Sequence, residues 1–240
     1  MNVIRGFTRT AATVLCGFLA AQPFAFAEKP AAATHPPVEH ASFHHQVYAD
    51  EDFSILNNRY PPNGDSGMHT HFLDHLYVAI QPAQVSGQNL GRPLAAMPPV
   101  PMGAAGYGAM GNEPRTHRIV NGDKGIAHFV VIELRRAKPL GTPVSSREAA
   151  PQYVQIIDNP RLRAWRLILE PGQSAPAITQ GNKGVQVVVR GGLLTTVRAN
   201  SPDQVLFLRP GDVSLQAAGA TRALKNGGTE TIELVEMELK

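Results

Sequence analysis

The sequence predicts an all-β protein of two halves in tandem, each a β-sandwich or a jelly-roll barrel. Three observations carry this reading. Apolar residues come in short runs stopped by Gly, Pro, Asn and Asp, the punctuation of strands and tight turns. No stretch beyond residue 27 shows the 3.6-residue period of an amphipathic helix. The pattern occurs twice, on either side of a polar stretch broken by Pro139, Gly141 and Pro143. Many short strands with such turns are typical of sandwiches and jelly rolls.

The chain opens with Arg5 and Arg9, an apolar run over residues 11–21, and Ala25-Phe26-Ala27. A basic start, a short apolar run and a small-x-small site predict a cleavable secretory signal peptide over residues 1–27. The run is too short to span a bilayer. The mature chain would begin at Glu28 and be periplasmic or secreted. It would lose Cys16, the only cysteine, and with it any disulfide or thiolate ligand. The formal charge of +3 falls to +1 without Arg5 and Arg9. The remaining Lys and Arg are scattered among acids, which argues against nucleic acid as a partner. No later stretch is long and apolar enough to be a membrane anchor.

Residues 28–42 are rich in Ala and Pro and predict a flexible arm that carries His35 and His40. Strands are expected at residues 53–56, at 76–80 before Pro82, and at 125–134 after the turn Asn121-Gly122-Asp123-Lys124. They define a first domain over residues 43–137. Residues 138–151 read as a linker. Strands at 153–157, 164–169, 185–190, 193–198, 205–208 and 231–239 define a second domain over residues 152–240.

The chemistry concentrates in Gly67-Met68-His69-Thr70-His71-Phe72-Leu73-Asp74-His75. Side chains two apart on a strand share a face, so His69 and His71 can converge on one metal ion. His75 can return to the same point from the next strand, and His117 lies far downstream. Imidazole suits zinc, copper, iron and nickel.

These landmarks resemble those of the cupin family. Its first motif is a glycine, then His-x-His, then Glu, then a glycine; its second is Gly-x5-Pro-x-Gly-x2-His-x3-Asn. Here His69 and His71 fill the His-x-His places and His75 stands in the Glu place. Gly106, His117 and Asn121 hold their places in the second motif, while Asn112 and Pro114 replace its Pro and Gly. The second half keeps the frame in Gly172, Gly191, Gly211, Gly219 and Asn226. Its four ligand places hold Ile178, Gln180, Gly184 and Arg222, and neither Ile, Gly nor Arg offers a side-chain lone pair. The resemblance implies a bicupin with one metal-competent barrel and one degenerate barrel. It implies one divalent transition metal (iron, copper, manganese, nickel or zinc) at His69, His71, His75 and His117.

Residues 86–111 read as an insertion between the two motifs, either disordered or a lid. It holds Met97, Met102 and Met110, which suit an apolar flap, with copper(I) ligation as the sharper alternative. Tyr107, Met68 and His128 are candidates for substrate contact. Asp74 is a candidate for fixing an imidazole tautomer. His44 and His45 are expected to meet only the surface, and Trp165 and Arg166 to be structural. The function expected is a metal-dependent small-molecule enzyme, an oxidoreductase of the dioxygenase type. A non-catalytic ligand- or metal-binding protein and a metal-independent isomerase are the alternatives, and a homodimer is compatible with either.

Overall fold

The computed structural model describes residues 35–136, 138–141, 145–199 and 201–240. The predicted signal peptide, Cys16 and residues 28–34 of the predicted arm lie outside the described residues. Nine strands form the first half: β1 (His44–Ala49), β2 (Phe53–Tyr60), β3 (His69–His71), β4 (His75–Ala79), β5 (Val85–Asn89), β6 (Ala95–Ala96), β7 (Ala105–Gly108), β8 (Arg115–Asn121) and β9 (Ala127–Leu134). Nine more form the second: β10 (Tyr153–Asp158), β11 (Leu162–Leu169), β12 (Ser174–Thr179), β13 (Gly184–Arg190), β14 (Gly192–Val197), β15 (Gln204–Leu208), β16 (Val213–Gln216), β17 (Thr221–Asn226) and β18 (Ile232–Leu239).

The topology repeats strand for strand. The first half has sheets ordered β1-β2-β9-β4-β7 and β3-β8-β5-β6; the second has β10-β11-β18-β13-β16 and β12-β17-β14-β15. Adding nine to each label of the first half yields the second. The all-β, two-barrel expectation therefore holds, and both barrels belong to one compact body.

Strand alternation explains how the barrels join. On β9, Val130, Ile132 and Leu134 face one side and Phe129, Val131 and Glu133 the other. The first set meets Phe53, Ile55, Leu76, Val78 and Ile80, and across the seam Leu162, Ala164, Val185, Val187, Val189, Val235, Met237 and Leu239. Each barrel thus contributes eight side chains from equivalent positions, and the two five-stranded sheets pack face to face. Turn glycines of each barrel fit against the other. Gly103 and Gly211 both have positive φ (76° and 88°). A Cβ on Gly103 would strike Glu233 of β18, and one on Gly211 would strike His128 of β9. The backbone N–H of Gly103 donates to Ala79 and that of Gly211 to Val188, at 2.8 Å each. Gly103, rather than the expected Gly106, is therefore the counterpart of Gly211.

Two expectations are corrected. The arm is not free where it is described: Thr70 N–H donates to the Pro36 carbonyl at 2.9 Å, and Val38 is buried against Leu56 and Val131. Residues 86–111 are neither disordered nor a lid. They supply β6, β7 and most of β5, with β5 paired to β8 and β7 paired to β4. Gly, Ala and Pro hid these strands because small residues show no alternation.

The stretch read as a linker reaches inside the second barrel. Arg147, in a short 3-10 turn over Ser146–Ala149, is fully buried. It donates to Glu236 at 2.9 Å, to Gln180 at 2.7 Å and to Glu238. Its guanidinium also lies 5.5 Å from the Tyr153 ring and 5.1 Å from Trp165. Arg222 adds a 2.9 Å contact to Glu236. Burial alone would raise the Glu236 pKa, but Arg222 and Arg147 hold it below the usual range. Arg147→Ala would leave Glu238 buried without a cation and Glu236 with Arg222 as its remaining charged partner. We expect a loss of about 3–5 kcal/mol in urea unfolding; a loss under about 1 kcal/mol would mean that the network is solvated.

Candidate metal centre

The first barrel gathers five imidazoles. His69 and His71 share a face of β3, with ring centroids 5.2 Å apart. β8 pairs with β3 so that His117 stands opposite His69, 4.8 Å from its ring and 5.0 Å from that of His71. His75 opens β4, 4.8 Å from His71. Gly108 makes room for it: a Cβ there would fall 2.5 Å from His75 Cε1. The four histidines expected from the sequence are linked by ring contacts, whereas the nitrogens that converge within 4.8 Å of one another belong to His44, His69 and His71.

The fifth is His44, which corrects the expectation of a surface role. It is buried and 4.6 Å from His69, ring to ring. One nitrogen each of His44, His69 and His71 lies within 4.8 Å of the others, close enough to hold one ion. No local signal pointed to His44; the β1–β2 register, which sets it opposite Asn58, turns it inward.

Backbone carbonyls select the tautomers. Nδ1–H of His44 donates to Ser42 at 2.9 Å, that of His69 to Gly67 at 3.0 Å, and that of His75 to Leu73 at 3.4 Å. This leaves Nε2 bare on each. In His44 it accepts from the Tyr60 hydroxyl at 3.0 Å. In His69 it is buried with no partner, as is Nδ1 of His71. Each such orphan costs about 1–3 kcal/mol. A bound cation would relieve His69, so the donor set fits a divalent metal. His71 Nδ1 faces the buried carboxyl of Glu133 at 3.8 Å, which turns its Nε2 away from that carboxyl. Glu133 stands opposite His75 across β4 and β9, and burial pushes its pKa up to about 7. A carboxylate behind a ligating histidine is a recurrent feature of metal sites. It was missed because Glu133 sits in an apolar strand with no motif around it.

Other candidates are placed differently. His128 points into the seam between barrels, Nε2 2.8 Å from Asn57 Oδ1, because it alternates with Phe129 and Val131. Asp74 does not touch an imidazole: it accepts from Gly111 N–H at 2.8 Å and pairs with Arg161 at 3.4 Å. Tyr107 lines the cavity beside the histidines, and Met68 is not among the lining residues. Trp165 packs in the second core as expected.

That cavity has a volume of about 490 Å³. His44, His71, His75 and His117 line it, with Asn58, Tyr60, Met97, Met110, Phe129 and Val131. Asn58 Oδ1 is another buried acceptor with no partner.

Burial, reinforced by the neighbouring imidazoles, lowers the His117 pKa to about 3 and the His44 pKa to about 4. The same causes hold His71 far below the usual range, and burial lowers His69 and His75. All five rings are therefore neutral near pH 7, the form that ligates metal. The unfolded chain takes up these protons near pH 6.5, before the folded chain does. Stability is thus full above about pH 6.5 and declines as pH falls toward 4. We expect the Tm of metal-free protein to drop through that window; a flat profile would contradict a buried neutral cluster.

No protein-family model and no curated protein matches the sequence. Solved structures do match the fold. AerE from Microcystis aeruginosa aligns at a TM-score of 0.59 with 10% identity, over 80% of this chain and 90% of its own. Salicylate 1,2-dioxygenase from Pseudaminobacter salicylatoxidans aligns at 0.53 with 12% identity, over 79% and 71%. Oxalate decarboxylase from Bacillus subtilis, which has Mn(II) centres, aligns at 0.53 with 14% identity, over 79% and 69%. These likenesses show a shared two-domain, all-β fold.

Proposed function

We propose that the protein is an exported metalloenzyme that oxidises a small organic molecule with dioxygen. His69, His71, His75 and His117 would hold one divalent transition metal, with His44 beside them. The observation that carries this reading is the cluster of neutral imidazoles, of which His44, His71, His75 and His117 line a cavity of about 490 Å³ while His69 Nε2 is buried beside them without a partner. A metal bound there would supply a Lewis-acid point at which substrate and dioxygen meet. The chain's own contributions are position and apolar walls. Carbonyls of Gly67 and Leu73 orient the rings, Gly108 lets His75 approach, and Met97, Met110 and Phe129 line the cavity with apolar surface.

Two features favour oxidation over acid–base chemistry. Among the described residues, no Asp or Glu lines the cavity. Imidazoles with pKa values near 3 and 4 are weak general bases at neutral pH. This weighs against a metal-independent isomerase. We infer export from the leader predicted at residues 1–27, and a mature N-terminus at Glu28 would be its signature.

Elemental analysis of the protein purified without chelator tests the proposal. We expect about one equivalent of iron, manganese, copper or nickel per chain, with dioxygen uptake on a suitable substrate. Stoichiometric zinc, or no metal even after reconstitution, would overturn it. His69→Ala and His117→Ala should each abolish stoichiometric metal; retention in both would displace the site. Glu133→Gln should keep the fold and weaken metal affinity about 10–100-fold. Unchanged affinity would show that Glu133 does not orient His71.

A further inference from the structure

Among the described residues one charged side chain lines the cavity, and it is a cation. Arg115 opens β8 on the face it shares with His117 and Ile119; it is exposed at the rim while they are half-buried, and all three line the cavity. It stands opposite His71 across β3 and β8. Its charge acts on both His75 and His117, lowering their pKa values. Among the described residues its guanidinium has no ion pair and no side-chain hydrogen bond. Its neighbour Arg118, on the other face of β8, is held by Asp65 at 3.0 Å and by Gln88 at 2.7 Å. Arg136 is likewise held by Asp52 at 2.6 Å. Arg115 is therefore left free at the mouth of the metal centre, where a ligand would pass.

The charge balance points the same way. Neutral imidazoles leave the charge of a divalent ion uncancelled. Arg115 adds to it, and the nearby carboxyls stand outside the cavity lining, Glu133 behind His71 and Asp74 next to His75, whose pKa it raises. Such a site attracts an anion and disfavours a neutral or cationic ligand. A planar guanidinium fork matches a carboxylate through two parallel hydrogen bonds. The walls say what carries the carboxylate: Val85, Met97, Met110, Ile119, Phe129 and Val131 present apolar surface around a volume of about 490 Å³. A polar sugar phosphate would leave these walls unmatched, whereas a compact apolar body would fill them.

We propose that the cavity takes a small organic carboxylate with an apolar body, and that Arg115 receives its carboxylate. This deepens the metalloenzyme proposal and rests on it for the charge of the ion, but Arg115 and the walls belong to the chain whether or not metal is present. The test uses benzoate and its neutral isostere benzamide as probes. Calorimetry follows both against the mature protein and against Arg115→Gln and Arg115→Lys, in metal-loaded and metal-free form, with metal content measured in parallel.

Benzoate should bind at least about tenfold tighter than benzamide to the unsubstituted protein. Arg115→Gln should weaken benzoate about 10–100-fold at unchanged metal content, and leave benzamide unchanged. Arg115→Lys should recover part of the loss, since it keeps the charge and loses the fork. Equal affinity for the two probes would overturn the proposal. So would full benzoate affinity in Arg115→Gln, or no benzoate binding to either form. Absence of metal throughout would defeat the metalloenzyme reading alone, because the comparison on metal-free protein still decides the role of Arg115.

Discussion

The seam between the two barrels is the constraint from which the rest follows. Eight apolar side chains from each half, in equivalent positions, bury one face of each five-stranded sheet against the other. Each fully buried Val, Leu, Ile or Phe contributes about 1.5–3 kcal/mol of burial free energy. A seam of this size makes one body of two barrels and stabilises the strands from their outer face. The inner face of each barrel is then released from being wholly apolar. The first barrel uses this freedom for five histidines and a cavity, the second for a buried network of charge.

The two interiors answer one electrostatic problem in two ways. Glu133 in the first barrel and Glu238 in the second occupy matching places, opposite His75 and Gly184 across equivalent strand pairs. Each is a buried carboxyl that needs a positive partner. In the second barrel Arg147 reaches in from the chain before β10, and Arg222, standing where His117 stands in the first, joins it at Glu236. The space that a metal would need is filled by side chains, and the four ligand places are lost together. In the first barrel the equivalent space is left to a cluster of neutral rings with unpartnered nitrogens. By our proposal an ion supplies the positive charge there, and Arg115 extends it toward the cavity mouth. Divergence of the barrels is therefore a choice of internal cation more than a change of fold.

What could be read from the chain before folding was substantial. Turn residues between short apolar runs marked the all-β class, and most long strands fell where expected. His69 and His71 were legible because strand geometry ties i and i+2 to one face, and His75 and His117 because of their place in two repeated motifs. The frame in the second half, with Ile178, Gln180, Gly184 and Arg222 in the ligand places, was legible in the same way. The short strands of residues 86–111 were not, since Gly, Ala and Pro carry no alternation. Their ladder bonds are made by backbone groups, which every residue type shares.

By itself, then, the sequence determined the class of fold, its duplication and the four histidines of a candidate centre. These depend on local periodicity and spacing, which the chain displays residue by residue. Tertiary structure alone decided the rest. It turned His44 inward and His128 outward, set Glu133 behind His71 and Arg147 inside the second barrel, and left Arg115 without a partner at the cavity. Each of these depends on which strand lies beside which, and with what register. A shift of one residue would carry every side chain of a strand to its opposite face. Register is fixed when the sixteen-residue seam is buried, an event that involves both halves of the chain at once.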